Sequence, residues 1–557
     1  MIIESPCDDV ELVPVALHDY VLHDAAGRGS RPAIIDGPTG RVLTYGELAG
    51  SVRRAAAGLA ARGVAQGDVL ALCSPNSPEF AVAYYAALAA GAVVTTVNPL
   101  APADDISRQL THSGARWLIT TAALARGSAG EAAAAAGVRE TFAIGTASGS
   151  TARGSATSAS ADAAGGSGRA TPFAALTDTD HPNRLPPVDP DDNAVLFYSS
   201  GTTGLPKGVL LSHRNLVASL CQTRAVHRAG PDDVVATVLP LFHIFALQIT
   251  LSLGLAAGAT VITMPRFDLE TFCGLVQEHG VTRVEVVPPI VLGLARHPAV
   301  TGYDLSSLRL ITSGAAPLGA ALATECARRL SCRVKQAYGM TEFGGATHMA
   351  PDSGGGPAES VGPLLPGAQA RVIDCATGLD AGPGQPGEML IRTPGAMRGY
   401  LGNPEATAAT VDADGWLHTG DVVVADREGW FTVVDRVKEL IKYKGSQVAP
   451  AALEAILLTH PAVADAAVIG RSDEDAGEIP TAVVVLRQPA ARGTEPVARE
   501  LMAYVADRVA PHEKIRRVEF ATEIPKSPSG KILRRELARR DQPAVPSRPR
   551  AFAGHPR

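Results

Sequence analysis

Residues 198–208 read Tyr198-Ser199-Ser200-Gly201-Thr202-Thr203-Gly204-Leu205-Pro206-Lys207-Gly208. The apolar run AVLF leads into this stretch and VLLS follows it. Short apolar runs bounded by Gly, Ser and Pro read as buried strands. The stretch is therefore a loop joining two strands. Its three glycines let backbone N–H groups approach an anion, four Ser/Thr hydroxyls add donors, and Lys207 adds charge. That composition suits a polyphosphate. The lysine is followed by Gly, not Ser or Thr, so this is not the Walker P-loop. A solvent loop of small residues is the bland alternative, and it leaves the order of the residues unexplained.

On either side, helix and strand patterns alternate through most of the first 370 residues. TYGELAGSVRRAAAGLAARG is an amphipathic helix and DVLALCS a buried strand; FCGLVQEHG then TRVEVVP, and LATECARRL then RVKQAYG, repeat the pattern. This grammar predicts α/β layers with mainly parallel sheets. From Gln369 to Ile391 short strands and turns replace it, which predicts a small β subdomain. After Asp435 a smaller α/β unit begins. The Ala/Ser/Gly-rich stretch at about 145–170 holds too few large apolar groups to offset the entropy of ordering it, so a flexible insertion is expected. The Pro/Arg-rich tail, 541–557, is expected to be disordered.

The 557 residues call for several cores, and the composition, 46% apolar and 19% charged, is that of a globular protein. A formal net charge of −6 argues against a general nucleic-acid binder. Seven scattered cysteines form no Cys-x-x-Cys pair, which argues against a disulfide framework or zinc site and fits a reducing cytoplasm. The N-terminal MIIESPCDDVELVP is acidic where a secretion signal is basic and then apolar, so no leader is expected. Two apolar stretches, Ala81 to Leu100 and Ala246 to Met264, approach membrane-span length. In each a Gly (Gly91, Gly258) divides a helical pattern from a β-branched one, so buried helix-then-strand units are expected and no membrane insertion.

The loop around Thr202 resembles the phosphate-binding signature of the adenylate-forming superfamily: acyl-CoA synthetases, peptide-synthetase adenylation domains and luciferases. Further motifs follow in the expected order: QAYGMTE (336–342), GEMLIR (387–392), GWLHTGD (415–421), DRVKELIKYKG (435–445) and PKSPSGK (525–531). LPLFHIFAL, YDLSSLRLITSGAAPLG and KYKGSQVAP bring the chain closest to 4-coumarate–CoA ligases. The resemblance implies a large N-terminal domain (1–434) of two α/β-layered subdomains plus a small β-barrel subdomain, and a smaller, mobile α+β C-terminal domain (435–540). It implies ATP, Mg²⁺ and coenzyme A as reactants or cofactors, a small-molecule carboxylic acid as substrate, and a monomer or homodimer.

Site roles carry over residue by residue. Ser199, Ser200, Gly201, Thr202, Thr203, Gly204 and Lys207 match the phosphate loop; Tyr338, Gly339 and Thr341 match nucleotide contacts; Asp421 and Arg436 match the ribose contacts. Glu342 matches the magnesium ligand, which suits a hard cation. From its residues alone QAYGMTE reads rather as a capped helix start, and Asp421 as a turn former; the resemblance is what favours the functional reading. Lys531 matches the lysine of adenylation: carboxylate attack on the α-phosphate brings two anions together, and an ammonium can bridge them. Lys442 and Gln447 match residues of the second half-reaction, and Lys444 and Gly445 the coenzyme A region. Lysines two apart would also share one solvated strand face. Asp435 matches the hinge, and His243 a residue between acyl group and thiol tunnel.

Phe245, Ser313, Gly314, Ala315, Ala316, Ala337, Phe343 and Gly344 match the acyl pocket. Phe245 stands where the 4-coumarate ligases usually carry Tyr, and cannot hydrogen-bond a phenol. Ala337 stands where they carry Gly, and Phe343-Gly344-Gly345-Ala346 replaces Ala-Gly-Pro-Val. A planar aryl acid such as cinnamate is expected, turned over at least as well as 4-coumarate. Medium-chain fatty acyl-CoA synthesis, loading of a carrier protein, and nucleotide binding without catalysis are the competing readings.

Overall fold

A computed structural model of the chain describes residues 1–145, 170–177, 185–199, 207–444, 446–473, 475–488, 494–527 and 530–539. All but the edge residues of the expected insertion, and the whole expected tail, lie outside the described residues. The chain forms two compact units, Met1–Val433 and Val434–Arg557.

The first unit is built on two eight-stranded sheets. One orders Gly399–Tyr400, Lys207–Ser212, Asn193–Ser199, Val93–Thr96, Val69–Cys73, Ala115–Thr121, Glu140–Ile144 and Thr171–Pro172. The other orders Gly345–Met349, Arg333–Met340, Leu310–Ser313, Arg283–Val286, Val234–Thr237, Thr260–Thr263, Pro32–Asp36 and Val42–Thr44. Interior neighbours are parallel, and antiparallel pairs occur only toward the edges. This is the architecture that alternating helix and strand patterns dictate. A third sheet orders Ile3–Glu4, Gln369–Ile373, Pro386–Arg392, Leu417–Ala425 and Phe431–Arg436. No pairing among the described residues joins its edge strands into the expected barrel.

Both long apolar stretches are helix-then-strand units. Helix Pro78–Ala89 starts on Ser77, whose side chain accepts from the Phe80 N–H, with Pro at its first position. Gly91 at φ +80° ends the turn, and strand Val93–Thr96 follows. In the second stretch Gly258, at φ +85°, separates helix Leu253–Ala257 from strand Thr260–Thr263. Both helices are hydrophobic all round because they are buried all round. Among the described residues no helix is long and apolar enough to cross a membrane.

The second unit carries a five-stranded sheet of Ser446–Val448, Ile441–Tyr443, Gly477–Leu486 and Val463–Asp473, with Arg517–Phe520 paired to Gly477–Leu486. Residue alternation divides its core between two faces: Ala466, Val468, Ala482 and Val484 pack with Leu453, Leu501 and Val505, while Ala467, Ile469 and Val483 pack with Ile524 and Leu537. Helices thus cover both sides of a small sheet.

Candidate active site

The strands flanking the glycine-and-hydroxyl loop are antiparallel neighbours, and Ser199 and Lys207 face each other in register at its two ends. Ser200, Gly201, Thr202, Thr203 and Gly204 lie outside the described residues. Lys207 places its ammonium 4.7 Å from the centre of the Tyr400 ring, a cation–π contact. The Tyr400 hydroxyl donates to Glu342 Oε1 at 3.0 Å. Glu342 is only 5% exposed, so that bond satisfies a carboxylate largely removed from water. Burial, and next the Glu342 charge, push the Tyr400 phenol pKa well up, which keeps the hydroxyl a donor. One aromatic residue thus ties the lysine of the phosphate loop to the expected magnesium ligand.

QAYGMTE is not a helix start. Strand Arg333–Met340 runs through it, Thr341–Phe343 make one tight turn, and strand Gly345–Met349 returns antiparallel, with Tyr338 opposite His348. Gly339 is required there: a Cβ would lie 2.1 Å from the Gly345 carbonyl oxygen. Tyr338 donates its hydroxyl to Asp421 Oδ2 at 2.6 Å. Asp421 is no turn residue either. It is buried within strand Leu417–Ala425, just past Gly420 at φ +69°, where the register with Pro386–Arg392 shifts; a bulge re-aims its side chain. Behind Tyr338 stands His348, fully buried, its pKa lowered to about 3 by desolvation. The imidazole is neutral at any working pH. Thr341 opens the turn that carries Glu342.

Of the expected acyl-pocket residues, Ser313 and Ala337 lie on strands of the second sheet. The ring of Phe245 lies over Gly314: a Cβ on that glycine would sit 3.0 Å from two ring atoms and 3.5 Å from the Ala337 carbonyl oxygen. Phe245 opens a π-helical segment, Phe245–Ser252, a rare conformation that marks functional sites. His243 stands just before it, half-buried, its ring 4.5 Å from that of Phe242. Ser313 ends strand Leu310–Ser313, and Ala315 follows at φ +69°. A non-glycine residue in the left-handed region stores strain, and such strain clusters at binding sites. Ala316 is half-buried beside it, Phe343 is fully buried, and Gly344 is left-handed at φ +66°.

In the second unit, Lys442 and Gln447 are register partners on the two strands of one hairpin, and both are exposed. Lys444 does not share a strand face with Lys442: it sits in the turn at φ +48°, its N–H bound to the Ala476 carbonyl. Gly445 lies outside the described residues. Lys531 is half-buried; its backbone N–H reaches Ser527 Oγ at 3.2 Å and its carbonyl accepts from the Ser527 N–H at 2.8 Å. A local backbone loop thus fixes where the side chain starts. Asp435 is buried, takes the Arg436 and Ala451 N–H groups on its two oxygens, and has its pKa raised by burial. Arg436 ends strand Phe431–Arg436.

Sequence reasoning missed Tyr400. Its signal was present: a Gly-Tyr pair in MRGYLG, after GEMLIR. Strand Gly399–Tyr400 pairs with Lys207–Ser212, which brings it to the loop. Among the described residues no three His, Cys, Asp or Glu side chains gather into a metal cluster. A buried carboxylate tied through Tyr400 to Lys207 nevertheless fits Mg²⁺, which keeps several waters and shares its ligation with substrate phosphates.

Known proteins resemble the chain over most of its length. The chain is 42% identical to 4-coumarate–CoA ligase 5 of Oryza sativa subsp. japonica over 548 residues, 95% of each protein. It is 42% identical to the 4-coumarate–CoA ligase of Pinus taeda, over 96% of this chain and 97% of that one. Among solved structures, ATP-bound MatB from Rhodopseudomonas palustris superposes with a TM-score of 0.82 at 28% identity, covering 94% of this chain and 98% of that one. A benzoate CoA ligase from Burkholderia xenovorans gives 0.81 at 28% identity, covering 94% and 99%. With the AMP-binding enzyme pattern matched over residues 21–401 and the C-terminal domain of AMP-binding enzymes over 452–531, the chain belongs to the AMP-binding enzyme family.

Proposed function

We propose that the chain is an AMP-forming acid–CoA ligase acting on an aryl acid of the cinnamate or 4-coumarate type. The carboxylate of the acid attacks the α-phosphate of ATP, the α–β bond breaks, and pyrophosphate leaves with an acyl adenylate as product. The thiol of coenzyme A then attacks the acyl carbonyl, losing its proton, and AMP leaves with the carboxylate's bridging oxygen. The Lys207–Tyr400–Glu342 chain carries this reading, because it holds a cation and a carboxylate at the phosphate loop. Glu342 would hold Mg²⁺, which neutralises phosphate charge when bound. Asp421, steadied by Tyr338, offers an acceptor for ribose hydroxyls. Lys531 supplies positive charge to the adenylation transition state, and Lys442 with Gln447 serves thioester formation. Phe245 lying over Gly314 supports a flat aryl group over a long alkyl chain. The free thiols, all seven unpaired, fit a cytoplasmic setting.

The test is pyrophosphate release across a panel of aryl and medium-chain acids, with and without coenzyme A. Release with cinnamate-type acids, and a free CoA thioester when the thiol is added, is the expected result. Release only with alkyl acids, or no thioester, would overturn it. A Lys531→Ala variant should lose about 100-fold or more in release while still binding ATP.

A further inference from the structure

Asn76 lies in the short loop between strand Val69–Cys73 of the first sheet and helix Pro78–Ala89. It is only 4% exposed. Its amide nitrogen donates to the carbonyls of Thr237 at 3.3 Å and Leu239 at 2.9 Å, and its amide oxygen accepts from the Leu241 N–H at 2.8 Å. Thr96 ends the neighbouring strand Val93–Thr96 and donates its hydroxyl to the Phe242 carbonyl at 2.7 Å. Thr96 is itself steadied: Gln109 Nε2 donates to the Thr96 carbonyl at 2.9 Å and to Thr95 Oγ1 at 3.0 Å. Two side chains at the strand ends of the first sheet thus hold four backbone groups of one stretch leaving the second.

Residues 238–243 form neither strand nor helix, yet Val238, Leu239 and Leu241 are buried. Buried backbone without a ladder must find side-chain partners. A carboxamide suits the task, since it carries two N–H donors and an acceptor on one short stem; Asp has no donor and Ser only one. The stretch leads directly into His243, whose N–H binds the Pro240 carbonyl at 3.0 Å and whose carbonyl accepts from the Leu247 N–H at 3.1 Å. Phe245, whose ring lies over Gly314, follows two residues on. The backbone that aims both side chains is therefore tied to the first sheet just before them. Lys207, Tyr400 and Glu342 stand on other elements, the strands Lys207–Ser212 and Gly399–Tyr400 and the turn Thr341–Phe343.

We propose that Asn76 and Thr96 are positioning residues of the ligase reaction: acting through the backbone of residues 237–242, they set His243 and Phe245 against the acyl group and the incoming thiol. The proposal rests on the acid–CoA ligase reading and adds to it two residues that act only through others. A misplacement of about 1 Å in groups that orient a substrate can cost about 100-fold in rate, so bonds at this distance from the chemistry are felt there. The nucleotide end, held by separate elements, is not moved by them.

The experiment measures pyrophosphate release and CoA thioester formation in the unaltered chain, Thr96→Val, Thr96→Ser and Asn76→Ala, varying cinnamate, ATP and coenzyme A in turn. Thr96→Val keeps the shape of the side chain and loses the bond to Phe242. It is expected to raise KM for cinnamate and for coenzyme A by about fivefold, with KM for ATP nearly unchanged. Thr96→Ser keeps the hydroxyl and should return close to the unaltered values. Asn76→Ala strips three backbone groups of their partner and should raise the same two constants further, with a lower melting temperature. If Asn76→Ala fails to fold, Thr96→Val and Thr96→Ser decide. A loss of kcat or melting temperature with every KM unchanged, an equal rise in KM for ATP, or Thr96→Ser as impaired as Thr96→Val would make the clamp merely structural and overturn the proposal, while leaving acid activation standing. No pyrophosphate release by the unaltered chain with any acid would remove the ligase reading and this one together.

Discussion

At the phosphate end of the site, Tyr400 presents its ring to Lys207 and its hydroxyl to Glu342. Tyr400→Phe keeps the first contact and deletes the second, leaving a buried carboxylate oxygen short of a donor. It is expected to cut pyrophosphate release by about tenfold and to raise the Mg²⁺ concentration for half-maximal rate, with the melting temperature nearly unchanged. A second cluster is structural. Asp352 holds Lys335 at 2.6 Å and Arg283 at 2.7 Å. Burial opposes its ionisation, but His227 and Lys335 outweigh burial and keep its carboxyl well below the usual range. Burial draws the Lys335 pKa down to about 8 against the pull of Asp352. The depressed carboxyl adds stability above the ordinary carboxylate range, lost as pH falls. The depressed ammonium is a cost up to about pH 8, relieved between there and its unfolded value near 10.4. Asp352→Asn should therefore lose about 3–5 kcal/mol at pH 7, read from urea unfolding, and less at pH 9, where Lys335 sheds its proton. Candidate residues were legible wherever a motif carried them, as at Lys207, Glu342 and Asp421. The place of Tyr400 was not, because it comes to Lys207 and Glu342 across strands distant in sequence.

The site's elements are hairpins and strand ends. Alternating apolar helices and β-branched strands could be read from composition and periodicity, and the glycine stops at Gly91 and Gly258 fall where helix gives way to strand. The turn at Thr341–Phe343 could not: Glu three residues after Gly339 imitates a capped helix start, whereas the chain is drawn into a hairpin by pairing with Gly345–Met349. Gly339 is the position this pairing makes intolerant. Gly339→Ala puts a methyl group against the Gly345 carbonyl oxygen, so the variant is expected to melt at a lower temperature and to bind ATP more weakly. Ala315→Gly works in the opposite sense. It removes the left-handed strain at φ +69°, and should leave stability equal or raised by up to about 1 kcal/mol while loosening acid selectivity, measured as a rise in KM for cinnamate.

As a whole molecule, the chain forms two units that meet in sequence at Val433 and Val434, and the proposed chemistry draws on residues of both. Lys531 lies in one loop of the second unit, and Lys442 with Gln447 in a separate hairpin. The proposed division of labour predicts two separable losses: Lys531→Ala lowers pyrophosphate release by about 100-fold or more, while Gln447→Ala spares it and lowers CoA thioester formation by about tenfold or more. The boundary was legible as a change of pattern after Asp435, but the half-reactions proposed for the two lysines came only through the family resemblance, since an exposed lysine on a short strand and one in a Gly/Ser/Pro loop carry no local sign of a role. Isotope transfer tests the central chemistry most directly. Cinnamate labelled with oxygen-18 in its carboxylate is incubated with the chain, ATP, Mg²⁺ and coenzyme A, and the nucleotide product is weighed by mass spectrometry. AMP carrying one labelled oxygen is the predicted result; unlabelled AMP, or label in inorganic phosphate alongside ADP, would contradict it.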